Sequence, residues 1–360
     1  MSDSTHSLAI LRQIAETRSA LRIAYLGGSL TEGYGASDPE IHSWRARTTA
    51  YFREQFPSAE VHEIYAAIGG TGSYLGAFRL ERDVLAAKPD LVFVEFAVND
   101  GNVPKNRVIR SLEGIIRHIH GTAPECEIVL VLNATEDHFT DYSNGKIPEA
   151  VATHQSVADY YGLPTIESGR ALWREVNESR ATPADLFIDH VHPTDAGYRI
   201  YSETVREFLV AALAAPKAVA SEWPSPMTAN PLDRATLIDA WSITDEGWRR
   251  CDESLAGRYP HYLESTAPGA AFSFEFHGTD VGLYWLVASD SGEIEATLDG
   301  QNLGVFTSWD HYALSFTRAN YVTLAEDISP GQHTLNLRVL PTFPGQSTGC
   351  VMRIGALLVQ

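Results

Sequence analysis

Along the first 215 residues, apolar positions alternate between short unbroken runs and segments with helical spacing. Arg22 to Leu26 is a run ending on Gly27-Gly28, which reads as a strand buried on both faces. Ser43 to Phe56 predicts a helix stopped by Pro57, Val61 to Tyr65 a second strand, and Leu75 to Ala87 a helix closed before Pro89. Leu91 to Val98 (LVFVEFAV) is the strongest strand signal in the chain. Asn106 to His120 then predicts helix, Glu127 to Leu132 strand, Pro148 to Tyr161 helix, Pro164 to Glu167 a short strand, and Thr194 to Ala214 a closing helix. Strands alternating with helices imply right-handed crossovers and a parallel sheet with both faces covered.

The pattern changes after that helix. The stretch 216–235 carries four prolines and no periodicity, and reads as a linker. Beyond it the period falls to two in Ala271 to Phe276, Val281 to Ala288, Glu293 to Leu298, His333 to Leu340 and Val351 to Val359, with turn pairs such as Asp299-Gly300 and Pro330-Gly331. Short alternating strands with such turns predict an antiparallel β-sandwich or jelly roll. The expected organisation is an α/β domain over 1–215, a linker over 216–235, and a sandwich over 236–360.

Composition narrows the class. With 360 residues there is room for two cores, and 44% hydrophobic against 20% charged residues is a folded composition. Lys plus Arg number 27 against 46 Asp plus Glu, a net charge of −19, which disfavours nucleic acid and anionic membrane as partners. Three cysteines without a CxxC pair argue against a disulfide framework and a cysteine-based zinc site, and suit a reducing compartment. The polar N-terminal stretch has no basic region followed by an apolar one, and no apolar run approaches the length of a membrane span. A cytoplasmic location is the expectation.

The residues with chemistry to offer sit where the predicted strands end, which is where open α/β sheets place ligands. Strand one runs into Gly27-Gly28-Ser29-Leu30-Thr31-Glu32-Gly33, where Ser29 is either a helix cap or a nucleophile exposed at a turn. Neither a Walker loop nor a dinucleotide fingerprint is present. After strand two, Ile68-Gly69-Gly70-Thr71-Gly72-Ser73 is either a plain turn or a place where a bare backbone N–H approaches a reacting oxygen. Strand three ends in Ala97-Val98-Asn99-Asp100-Gly101, and the Asn99 carboxamide is a turn former or an oxyanion donor. In Asp189-His190-Val191-His192-Pro193, an aspartate three residues before a histidine can fold back and fix its tautomer, leaving the other ring nitrogen as a base.

Taken in order, GGSLTEG, AAIGGTGS, AVND and DHVHP resemble the four blocks of the SGNH or GDSL hydrolase family, over about 20–215. The resemblance implies a flavodoxin-like parallel sheet with helices on both faces, a serine esterase activity, and no cofactor or metal. It casts Ser29 as nucleophile, Asp189 and His192 as the rest of the triad, and Ser29, Gly70 and Asn99 as the oxyanion hole. Ala97 stands where the family usually has glycine. The sandwich is similar to accessory domains of carbohydrate esterases, so the expected substrate is a small acylated molecule, an acetylated sugar or oligosaccharide. A lipid or thioester acylhydrolase, an O-acyltransferase, and a carbohydrate-binding protein with an inactive hydrolase domain are the alternatives.

Other residues carry two readings each. Trp44 and Arg45 line the substrate pocket or pack a helix start, and Trp309, His311 and Tyr312 stack on a sugar or pack a sheet edge. His118 and His120 face apart on a predicted helix and read as surface residues. Glu95, inside the LVFVEFAV strand, is expected to bond a neighbouring loop.

Overall fold

The apolar runs of the first unit, 1–233, pair edge to edge into one parallel sheet. In the computed structural model, which describes residues 6–217, 222–243, 246–254 and 256–360, the strands are β1 (Ala20–Gly27), β2 (Glu60–Ala67), β3 (Leu91–Glu95), β4 (Glu127–Val131) and β5 (Thr165–Ile166). Their order is β2-β1-β3-β4-β5, the flavodoxin-like winding. Eleven α-helices of the described residues connect them: α1 (Ala9–Thr17), α2 (Ser29–Glu32), α3 (Pro39–His42), α4 (Trp44–Gln55), α5 (Ser73–Asp83), α6 (Lys105–Thr122), α7 (Phe139–Ser143), α8 (Glu149–Tyr161), α9 (Ser168–Asn177), α10 (Pro183–Leu186) and α11 (Asp195–Ala214). One face of the sheet (Leu21, Ile23, Tyr25, Phe93, Val129) forms a single core with α1, α4, α9 and α11. Helices α5, α6 and α8 pack on one another, and their buried residues lie outside that cluster, as expected for the second covering layer.

Register decides where the loops emerge. Gly27, the last residue of β1, lies opposite Ala67 of β2 on one side and Glu95 of β3 on the other. Three neighbouring strands therefore end level, and the loops beginning at Gly28, Ile68 and Phe96 leave the same edge together. The third strand ends at Glu95 instead of Val98. Phe96 and Ala97 are buried but already past the ladder, so Asn99 lies on a loop four residues beyond the strand.

The proline-rich stretch differs from a free linker. Residues 218–221 of it lie outside the described residues, but 222–233 is fastened along α6. Trp223 stacks on His120 at 3.7 Å, Arg117 Nη1 donates to Pro224 O at 3.2 Å, and the amide of Thr228 donates to the buried Glu113 at 2.8 Å. An ideal Cβ on Gly114 would come within 2.5 Å of the Leu232 backbone, so only glycine admits the chain there. The units divide at Asp233/Arg234. The His120 contact, with His118 Nε2 3.4 Å from Glu81, also makes both histidines partnered, half-buried residues and not surface ones.

The second unit, 234–360, is antiparallel. One sheet holds β6 (Thr236–Asp239), β7 (Arg249–Cys251), β8 (Tyr262–Ser265), β10 (Val281–Val287), β13 (Arg318–Ala325) and β15 (Met352–Val359). The other holds β9 (Ala271–Gly278), β11 (Glu293–Leu298), β12 (Gln301–Thr307) and β14 (Gly331–Val339). Alternate residues of β9, β11 and β14 point into one core with Leu283, Trp285, Ile354 and Leu357 of the first sheet, which makes a sandwich. No helix of the described residues is long and apolar enough to cross a membrane.

Candidate active site

The loop after β1 is shaped by its glycines. An ideal Cβ on Gly27 would lie 2.9 Å from Glu95 O, and one on Gly28 would overlap the Asn99 carboxamide. Gly28 is the N-cap of the one-turn helix α2, and Gly33 closes it with φ +90°. Ser29 is therefore the first residue of α2, with an amide that no intrahelical carbonyl can accept.

Ser29 Oγ is 2.9 Å from His192 Nε2. His192 Nδ1 is 2.8 Å from Asp189 Oδ2. Asp189 Oδ1 in turn accepts from the amides of Val191 and His192, each at 2.7 Å, so the Asp-x-x-His turn fixes its own carboxylate. Burial alone would raise the pKa of Asp189; the hydrogen bonds from the His192 ring and these two amides outweigh it and hold the carboxyl below its ordinary value. An ionised Asp189 accepts the Nδ1–H, which leaves Nε2 free to take a proton from Ser29.

A strap from the Ser29 loop holds the His192 turn in place. Tyr198 donates its hydroxyl to Tyr34 O at 2.8 Å, and Ser37 gives both its amide (2.8 Å) and its hydroxyl (2.6 Å) to Asp195. The Tyr34 ring meets the His192 ring edge-on at 4.5 Å and is 57% exposed, so it forms part of the rim beside His192. Sequence reasoning missed Tyr34. Its position directly after the GGSLTEG block was the available signal.

The two other loops reach the same place. An ideal Cβ on Gly69 would be 3.5 Å from Ser29 Cβ, and Gly70, with φ +72°, has open space where a side chain would stand. Asn99 lies against Gly28, and its Oδ1 is buried without a hydrogen bond. The fold thus brings together Ser29, Asp189, His192, the loop of Gly70, and Asn99. Chemically the arrangement offers a hydroxyl within hydrogen-bond reach of an imidazole, with the Gly70 loop and the Asn99 carboxamide close by, the kinds of group that acyl transfer uses.

Glu95 bonds the Ser29 loop. It is fully buried and accepts from Thr31 Oγ1 at 2.8 Å. Burial pushes its carboxyl up to about 7, against the pull of the Thr31 hydrogen bond. A raised carboxyl contributes stability that is fully present below its ordinary value of 4.5 and is lost as pH rises through about 7. Glu95→Gln, which cannot ionise, is expected to close any gap in melting temperature to wild type, or to exceed it, on going from pH 5 to pH 8.5. A melting-temperature difference that does not change with pH would show that Glu95 does not titrate in this range.

Trp44 and Arg45 do not line a pocket. Trp44 is fully buried and packs edge-on against Tyr25 and Phe93 at 5.4 and 5.8 Å. Arg45 is 1% exposed, pairs with Glu63 and with Glu40, and stacks over Tyr65. Both are held inward by α4, whose N-cap Ser43 accepts from the Ala46 amide. Trp309, His311 and Tyr312 belong to the second unit, between β12 and β13. Trp309 packs against the sandwich core, while Tyr312 is 52% exposed and its ring lies tilted against His311 at 3.8 Å. His190 points outward, its Nδ1 3.1 Å from Glu136. Among the described residues, no three His, Cys, Asp or Glu side chains are grouped to hold a metal ion.

Residues 25–200 match the GDSL-like lipase/acylhydrolase family. No curated protein matches the chain. Among solved structures, a two-domain esterase (CEX) active on acetylated mannans superposes with TM-score 0.85 and 22% identity, covering 98% of this chain and 95% of that one. The same esterase co-crystallised with mannopentaose gives TM-score 0.83, again with 22% identity and with coverage of 98% and 95%. The shared two-domain architecture is the content of that likeness.

Proposed function

The N-terminal unit belongs to the GDSL-like lipase/acylhydrolase family, the chain is a carboxylic ester hydrolase, and on that premise we propose that it removes acetyl groups from sugars or oligosaccharides through a Ser29–His192–Asp189 triad. The observation that carries the chemistry is the hydrogen-bonded chain from Ser29 Oγ through His192 to Asp189 at 2.9 and 2.8 Å. In the first half-reaction His192 Nε2 takes the Ser29 proton as Oγ attacks the ester carbonyl. The Ser29 and Gly70 amides and the Asn99 carboxamide hold the oxyanion, each donor worth about 3 kcal/mol when preformed. His192 then gives its proton to the sugar oxygen as the ester C–O bond breaks, so the sugar leaves as its alcohol, and water repeats the cycle to release acetate.

The choice of a sugar acetate is supported by the superposed esterase, which acts on acetylated mannans and shares both domains with this chain. Full-length protein incubated with acetylated manno-, xylo- and pectic oligosaccharides is expected to release acetate, and to hydrolyse p-nitrophenyl acetate faster than the butyrate and octanoate. Preference for octanoate with no acetate from any glycan would assign a lipid-type acylhydrolase instead.

A further inference from the structure

Next to the oxyanion donors lies a second histidine–carboxylate pair that the proton chemistry does not use. Asp100, the residue after Asn99, is 2% exposed, and His154 of α8 is fully buried. His154 Nε2 is 2.9 Å from Asp100 Oδ2. The other oxygen, Oδ1, accepts from the Ser73 amide at 3.0 Å, at the end of the loop that carries Gly70. Gly72 is pressed so closely on that oxygen that a Cβ there would overlap it. The Asp100 amide is itself bonded to Phe96 O at 2.9 Å, and its carbonyl accepts from Val103 at 3.0 Å. One carboxylate therefore joins the Asn99 loop to the Gly70 loop, and His154 supplies the ring N–H behind it. His154 Nδ1 is buried without a partner, so the ring's hydrogen-bonding capacity is directed at Asp100 alone.

We propose that His154 is a positioning residue for the oxyanion hole: its Nε2–H holds Asp100 so that the Gly70 and Asn99 donors keep a fixed separation. This rests on the triad reading above, because the donors matter only if an oxyanion forms beside Ser29. The physical ground is the cost of leaving a buried carboxylate short of a donor. Without His154, Asp100 must turn toward water or another donor, and the Ser73 amide loses its acceptor. A donor displaced by about 1 Å from a developing oxyanion costs on the order of 100-fold in rate.

The test uses the full chain and two substitutions that keep the ring's volume. Gln can place an amide N–H near the Nε2 position, whereas Met fills the space without a donor. With p-nitrophenyl acetate, His154→Met is expected to lower kcat about 10- to 100-fold with KM within about threefold, the signature of an interaction made in the transition state. His154→Gln is expected to recover most of that loss. Amide hydrogen exchange at Ser73 should be faster in His154→Met than in wild type and slow again in His154→Gln. Equal kcat in the two variants, a loss confined to KM, or unchanged Ser73 exchange would each overturn the assignment. Ser29→Ala measured alongside separates the two readings. If Ser29→Ala stays active, the triad reading itself fails; if it is inactive while His154→Met keeps wild-type kcat, only the role of His154 fails.

Discussion

Ser29→Ala is expected to lower kcat on p-nitrophenyl acetate by about four to six orders of magnitude while leaving the fold intact. The effect is large because the proposed reaction has no other route: the acyl group must bond to Oγ, and His192 Nε2, 2.9 Å away, has no other proton to take. The cost to stability is small because Ser29 is only half-buried, at the start of a one-turn helix whose shape is set by Gly28, Gly33 and the Thr31–Glu95 bond. Removing one hydroxyl there should change folding stability by no more than about 0.5 kcal/mol. A serine-directed phosphonate is the independent check. It should add mass to the peptide containing Ser29 and inactivate the protein in proportion. Labelling of another serine, or activity retained after Ser29 is modified, would remove the triad from consideration.

The parallel sheet was legible because its strands are buried on both faces and so read as unbroken apolar runs, bounded by glycine or proline. Six helices were not: α1, α9 and the short α2, α3, α7 and α10. Ala9–Thr17 and Ser168–Asn177 are short and flanked by polar residues, so they stand out only through what they cover, the sheet face of Leu21, Ile23 and Tyr25. In the sandwich, β9, β11 and β14 alternate cleanly and were visible, but the short β6, β7 and β8 and the longer β12 and β13 were not. Gly304, with φ +110°, and a bulge between Ala296 and Thr297 break the period of β12, and most residues of β13 are only half-buried.

The site divides the same way. Gly70 and Asn99 lie in short stretches that follow β2 and β3, and Asp189 and His192 in one turn after α10, so local sequence carries the signal for each. The parts that reach in from elsewhere had none: His154 lies in a helix and meets Asp100 only through the tertiary fold. Trp44 and Arg45 show the converse error. Their closeness to Ser29 in sequence suggested a pocket, yet Ser43 starts α4 and turns both side chains into the core, where Glu63 of the edge strand β2 supplies the partner that makes a buried arginine tolerable.

His192→Ala is expected to be nearly as damaging as Ser29→Ala, and His190→Ala to stay within about threefold of wild type. The two histidines differ by two positions and by everything that touches them. His192 bridges Ser29 and Asp189, is 20% exposed at its side chain, and carries the Tyr34 ring against it. His190 is 77% exposed at its side chain and bonds only the surface carboxylate of Glu136. In this reading His192 accepts the Ser29 proton while Asp189, held below the ordinary carboxylate range, stays ionised beside it. Excess EDTA should leave the rate unchanged. Loss of activity on chelation that zinc restores would instead point to a metal held by Asp189, His190 and His192. In that case His190→Ala would match or exceed His192→Ala in severity, because a ligand set loses its metal whichever histidine is removed. The order of the two alanine variants therefore decides between a base and a ligand.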